Sequence, residues 1–94
     1  MDVFQVNLTK QVEKTLHSLP KPVVLKLQAW IDGVSTFGLR EMRKIPGFHD
    51  EPLKGKRLGQ RSIRLNRAYR AIYVVDDSGV THFIEIVEVN KHDY

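Results

Sequence analysis

The stretch RSIRLNRAYRAIYVV, residues 61–75, contains two runs of extended-chain sequence separated by the polar triplet NRA. The first run is RSIRL (61–65) and the second is YRAIYVV (69–75). Branched and aromatic residues on both sides of turn-forming residues are typical of a β-hairpin. This hairpin therefore predicts an antiparallel sheet as the framework of the fold.

Alternation along these strands predicts which side chains share a face of the sheet. Ile63 and Leu65 have the same parity, and we expect them to face the helices, which places Arg64 on the opposite face. The aromatic residues of the second run have one parity and Arg70 has the other. If the aromatic side chains also face the helices, Arg70 joins Arg64 on the open face.

Two arginines on neighbouring strands suit the binding of phosphate. Each guanidinium presents a planar set of donors and stays charged, and an anion between the two relieves their mutual repulsion. The alternative is structural: an arginine at a strand start pairs with Glu85 or Glu88 of the last strand.

The rest of the chain supplies helices and further strands. Residues 3–8 alternate like a strand, and Thr9 suits the N-cap of a short helix that stops before Pro20. Pro22 fits the first turn of a second helix, which we expect to end near Gly38.

An apolar stripe along the second helix should face the core, and Trp30 lies in its middle. Close packing against a neighbour explains the interior Gly33. Residues 38–59 lose periodicity and predict a long loop, and THFIEIVEV (81–89) predicts a last strand. The fold class is thus α+β: one domain, residues 1–94, with an N-terminal strand and a helical hairpin packed on one face of a mainly antiparallel four-stranded sheet.

Composition excludes several classes of protein. Hydrophobic residues make up 41% and charged residues 28% of the chain, as in soluble globular domains. There is no cysteine, and the four histidines lack the spacing of metal ligands, so we expect no metal and no cofactor. The chain shows neither a secretory signal nor an apolar run of roughly 20 residues, which favours the cytoplasm over a membrane.

Positive charge is concentrated in one segment. Residues 54–70 hold seven Lys or Arg and no acid, whereas the rest of the chain has more acidic than basic residues. Such a local basic surface indicates an anionic partner, with nucleic acid the first candidate, although a solvated arginine-rich strand face would look the same. The expected RNA backbone contacts are Lys54, Lys56, Arg57, Arg61, Arg67 and Lys91.

The C-terminus NKHDY (90–94) adds groups that can transfer protons. His92 and Tyr94 follow the last strand. A phosphate nearby favours the imidazolium and the arginines oppose it, which makes His92 a candidate acid or base, although a terminal histidine is often merely exposed.

The sequence as a whole resembles the RelE/ParE superfamily of toxins from bacterial toxin–antitoxin pairs. The resemblance covers nearly the whole chain and is carried by the block LKGKRLGQRSIRLNRAYRAIYVV (53–75) and by VNKHDY (89–94). It looks most like the RelE and HigB branches, whose members are endonucleases that cut messenger RNA in the ribosomal A site. ParE-like inhibitors of DNA gyrase share much of the pattern.

The resemblance implies catalytic roles for four residues. Arg64 falls where RelE-type toxins place a strand lysine beside the scissile phosphate, and Arg70 matches their strand arginine. His92 falls where they carry a group that protonates the leaving oxygen, and Tyr94 resembles a tyrosine used for base stacking or proton transfer. An arginine is a poor general base, so His92, Tyr94 and ribosomal RNA groups all stay open for that role.

The implied reaction is a metal-independent attack of a ribose 2′-OH on its own 3′ phosphate. The implied partners are the ribosome with its messenger RNA and a cognate antitoxin, held in a heteromeric complex without any membrane. Two alternatives remain: a non-enzymatic, ParE-like gyrase inhibitor, and a basic nucleic-acid-binding module without chemistry. His92 and Tyr94 favour the enzyme, because they have a purpose in RNA cleavage and none evident in the alternatives.

Overall fold

A computed structural model of the chain describes residues 2–91, so His92 and Tyr94 lie outside the described part. The helices are α1 (Lys10–Leu16), α2 (Lys21–Phe37) and α3 (Leu39–Arg43). The strands are β1 (Val6–Leu8), β2 (Glu51–Pro52), β3 (Arg61–Arg64), β4 (Tyr69–Asp76) and β5 (Phe83–Lys91). Single turns of 3₁₀-helix, Pro46–Phe48 and Gly55–Arg57, lie on either side of β2.

The strands form one sheet in the order β1-β5-β4-β3-β2, in which β1 runs parallel to β5 and the other neighbours are antiparallel. The predicted α+β class and N-terminal strand are confirmed. The predicted count of four strands is wrong, because β2 adds a fifth strand at the edge, where Glu51 pairs with Ser62 and Pro52 with Arg61. A two-residue strand is too short to show alternation in a sequence.

The helices begin and end where the sequence predicts. The Thr9 side chain accepts a hydrogen bond of 3.2 Å from the Val12 N–H and caps α1. Pro22 lies in the first turn of α2, where its missing N–H costs nothing. The helix stops at Gly38, whose φ of 89° favours glycine.

The core lies between α2 and one face of the sheet. Trp30 is fully buried, and its ring centroid lies 5.1 Å from that of Tyr73 on β4. Among the predicted helix-facing residues of the hairpin, Tyr69 and Val75 are partly buried against this core and the others are buried, which confirms the assignment of strand faces. Ile72 is also fully buried, although it lies on the opposite face. The main contributors are Val23, Leu27, Trp30, Val34, Ile63, Leu65, Ala71, Tyr73, Ile84 and Ile86.

The segment 38–59 is more ordered than the predicted long loop. It contains α3, β2 and both 3₁₀ turns, so the loop prediction is wrong in detail. Leu39 and Met42 are buried on one side of α3, and the Met42 thioether fills the space where Gly33 would carry a Cβ. This contact confirms that Gly33 permits close packing, and it explains why a helix of only five residues forms here.

We predict that Gly33→Val destabilises the protein by about 1 to 3 kcal/mol, because the new side chain would displace Met42 from a filled core. Ala29→Val is the matched control, since Ala29 is exposed on the same helix. It should cost about 0.5 kcal/mol, from helix propensity alone. Urea unfolding followed by circular dichroism measures both variants, and equal losses would contradict the packing role of Gly33.

A β-bulge in β5 determines which of its residues reach the open face. Ile72 pairs with Glu88, but the next residue, Tyr73, pairs with Ile86, so Val87 is the extra residue of β5. Since paired residues share a face, the shift places Glu88 on the face of the sheet that points away from the core. Ile84, Ile86 and Val89 therefore face the helices, whereas Glu85, Glu88 and Asn90 face away.

Candidate nucleic-acid interface

Arg64 and Arg70 lie side by side on the open face of the sheet. They are direct partners in the β3–β4 register, and Arg70 is in turn opposite Asn90 of β5. The prediction that both arginines share the open face is confirmed. Arg64 is exposed and makes no ion pair with residues 2–91, so its guanidinium can bind an anion.

A cleft adjoins the two arginines at the edge formed by β2. Its polar lining residues are His49, Glu51, Ser62, Arg64, Asn66, Tyr69 and Arg70. On the far wall, His49 Nε2 lies 3.3 Å from Glu51 Oε2. The cleft thus combines two cationic groups with an imidazole–carboxylate pair, which can bind a phosphate and exchange a proton with a group attached to it.

His49 and Glu51 did not emerge from the sequence as site residues. The segment HDE (49–51) lacks any spacing typical of ligands or catalytic groups, and only the pairing of β2 with β3 brings it to the arginines. One local feature marks the site in the structure: His49 adopts a left-handed conformation with φ 45° and ψ 53°. Non-glycine residues rarely adopt this conformation, and it occurs often at functional sites.

Asp50 anchors this segment to the core. Its side chain is 0% exposed and accepts 2.7 Å and 2.6 Å hydrogen bonds from Arg61 Nε and the Tyr73 hydroxyl, respectively. Arg61 and Tyr73 are themselves paired across β3 and β4. With Asp50 turned inward, its neighbours His49 and Glu51 line the cleft.

The charge network around Asp50 changes the interpretation of Arg61. Burial raises the pKa of Tyr73 well above its usual value, and the hydrogen bond to Asp50 adds to the shift, so the phenol remains a donor. Arg61 is in β3 with its side chain 26% exposed and its charge paired. Arg61 thus belongs to the predicted first strand of the hairpin, and its RNA-binding role stays a prediction.

We predict that Asp50→Ala destabilises the protein by about 1 to 3 kcal/mol, because it leaves the buried Tyr73 hydroxyl without its acceptor and the partly exposed Arg61 guanidinium without its carboxylate. Asp32→Ala is the control, since Asp32 is exposed on α2 and should change stability by about 0.5 kcal/mol or less. Thermal and urea unfolding measure the difference. A loss for Asp50→Ala no larger than that of the control would show that the network does not stabilise the fold.

A second charged group occupies the open face beyond Arg70. Arg57 Nη2 donates to both carboxylate oxygens of Glu88, at 3.1 and 2.9 Å, and its Nη1 donates to Gln60 at 2.9 Å. Asn90 Nδ2 also donates to Glu88, and Arg70 Nε lies 3.5 Å from Asn90 Oδ1. The ion pair with Glu88 that the sequence left as an alternative for the strand arginines is thus formed by Arg57.

The remaining predicted RNA contacts surround this face. Lys54 is exposed just before the second 3₁₀ turn and Lys56 is exposed within it. Arg67 is exposed in the turn between β3 and β4, and Lys91 is exposed at the end of β5. Within residues 2–91, no group of three His, Cys, Asp or Glu side chains is placed to hold a metal ion. None of the helices in this range is long and apolar enough to cross a membrane.

Comparison with solved structures shows what the fold is. The chain is similar to RelE in the archaeal RelE–RelB complex from Pyrococcus horikoshii OT3, with a TM-score of 0.71 and 27% identity over 95% of this chain and 94% of that one. The YoeB–YefM complex from Staphylococcus aureus gives a TM-score of 0.68 at 22% identity, over 96% and 98% of the two chains. YafQ from E. coli gives 0.68 at 14% identity, over 94% and 92%.

The chain has the fold of the RelE/ParE toxin superfamily. The resemblance that the sequence predicts is confirmed at this level, while the closer likeness to the RelE and HigB branches stays a prediction. No protein-family profile and no curated protein matches the sequence. In this RelE-like chain the sheet face opposite the helices carries Arg64, Arg70 and the pair of Arg57 with Glu88. The cleft lies along the β2 edge of the sheet.

Proposed function

We propose that this protein is the toxin of a toxin–antitoxin pair and acts in the cytoplasm as a ribosome-dependent endonuclease on messenger RNA. The observation that carries the proposal is the cleft in which Arg64 and Arg70 adjoin the pair His49 and Glu51. Phosphate-binding groups and proton-transfer groups in one cleft suit phosphodiester cleavage. The likeness to RelE, YoeB and YafQ structures supports it at the level of the fold.

The proposed chemistry is an intramolecular transesterification. The ribose 2′ oxygen forms a bond to its 3′ phosphorus, the bond to the 5′ oxygen breaks, and the products carry a 2′,3′-cyclic phosphate and a 5′-OH. Arg64 and Arg70 stabilise the negative charge that grows on the non-bridging oxygens. One proton leaves the attacking hydroxyl and one reaches the departing oxygen.

Glu51 is the proposed acceptor of the 2′-OH proton. A carboxylate can take up a proton where a permanently charged guanidinium cannot, and Glu51 lines the same cleft as both arginines. His49, 3.3 Å from Glu51, orients the carboxylate. The predicted donor to the leaving oxygen is His92, and Tyr94 is predicted to stack on a base or assist proton transfer.

The proposed partner is a cognate antitoxin in a heteromeric complex. Two of the similar structures are complexes of this kind, RelE with RelB and YoeB with YefM. The exposed lysines and arginines of residues 54–70 suit an acidic or amphipathic segment laid across them.

The first test is induced expression of the wild type and of Arg64→Ala, Arg70→Ala and His92→Ala in a host without the antitoxin. We expect the wild type to arrest growth and create new messenger RNA 5′ ends inside translated codons. Each variant should restore growth, because losing one phosphate-stabilising or proton-donating group slows cleavage on the order of 10²-fold or more. Growth arrest with intact messages and DNA damage would instead indicate a ParE-like gyrase inhibitor.

Glu51→Gln should slow single-turnover cleavage by about 10²- to 10⁴-fold and leave RNA binding nearly unchanged, because the amide keeps the shape but cannot accept the proton. Glu41→Gln is the control, since Glu41 is exposed on α3 and pairs with Lys44. Cleavage of messenger RNA on programmed ribosomes over a range of pH measures both. A Glu51→Gln rate equal to that of the control would remove Glu51 from the mechanism.

A further inference from the structure

We propose that Glu88 regulates RNA binding by holding Arg57 in place of a phosphate of the RNA backbone. The inference rests on the proposed function, since it concerns the same open face. The inference adds a phosphate subsite at Arg57, separate from the cleft at Arg64 and Arg70. It also names Glu88 as the residue that controls this subsite.

The geometry of the pair is that of an anion bound by a guanidinium. Both carboxylate oxygens of Glu88 lie within 3.1 Å of Arg57 Nη2, and Asn90 donates a further hydrogen bond to the same carboxylate. A backbone phosphate offers the same two features, negative charge and paired oxygens. A group that binds Glu88 in this way is therefore equipped to bind RNA.

The bulge in β5 is what delivers this carboxylate to the basic face. With unbroken alternation from Ile84 and Ile86, Glu88 would point toward the core. The extra residue Val87 turns Glu88 outward, directly opposite Ile72 and two residues from Asn90. The acid therefore lies on the surface that carries Arg64 and Arg70.

Exposure makes the pair exchangeable. The Arg57 and Glu88 side chains are 40% and 36% exposed, and ion pairs of this kind add little to stability. A phosphate can therefore displace Glu88 at low cost. While Glu88 stays bound to Arg57, the pair adds no net charge to the open face. The attraction of this face for any RNA is weaker as a result.

The test measures binding of a single-stranded 2′-O-methyl RNA, which lacks the attacking hydroxyl, as a function of salt. Glu88→Gln should tighten binding about two- to fivefold. It should also steepen the slope of log affinity against log salt by about 0.7, because the neutral glutamine leaves Arg57 with one net charge for the RNA backbone. Glu85→Gln is the matched control, because Glu85 lies on the same strand and face and forms no ion pair within residues 2–91.

A second substitution separates direct contact from charge at a distance. In an Arg57→Gln background, Glu88→Gln should lose its advantage over Glu85→Gln. The inference is overturned, while RNA binding itself stands, if the two glutamate substitutions have equal effects. It is also overturned if the advantage of Glu88→Gln persists without Arg57, or if Glu88→Gln weakens binding. Absence of RNA binding by the wild type and every variant would also overturn this inference, whereas the proposed function stands or falls with cleavage of messenger RNA on programmed ribosomes.

Discussion

The candidate site is held in place by one partly buried ion pair, between Asp50 and Arg61. Asp50 lies between the exposed residues His49 and Glu51, and hydrogen bonds from Arg61 and Tyr73 hold its carboxylate in the interior. Tyr73 packs against Trp30, so the link continues from the cleft to the centre of the core. A buried carboxylate is costly without partners, and this cost keeps the segment in one conformation. The short edge strand β2 needs such an anchor, since two residues of pairing alone would not hold it.

The charges of the open face are arranged in two different ways. Within residues 2–91 neither Arg64 nor Arg70 forms an ion pair, and Arg70 Nε lies 3.5 Å from Asn90 Oδ1, whereas Arg57 is paired with Glu88. Composition alone treats residues 54–70 as one basic segment. The structure separates Arg57, whose charge is paired with Glu88, from Arg64, which forms no ion pair within residues 2–91.

Much of the fold could be predicted from the residues because its signals are local. The hairpin of β3 and β4 follows from alternation and from Asn66, whose side chain accepts hydrogen bonds from the N–H groups of Ala68 and Tyr69. The caps and ends of α1 and α2 likewise depend on residues within one turn. The segment 38–59 could not be predicted in this way, since α3 depends on the contact of its Met42 with Gly33 of α2, and β2 depends on the pairing of Glu51 with Ser62 of β3.

Local patterns in the chain are enough to predict the order of the main elements, the core face of the hairpin and the shared surface of Arg64 and Arg70. These features follow from periodicity, which any strand or helix of sufficient length displays. The positions of His49 and Glu51 beside the arginines, and of Glu88 on the open face, are visible only in the folded chain. The physical reason is that strand pairing and a one-residue bulge depend on which neighbour supplies the hydrogen bonds, and no local pattern encodes that choice.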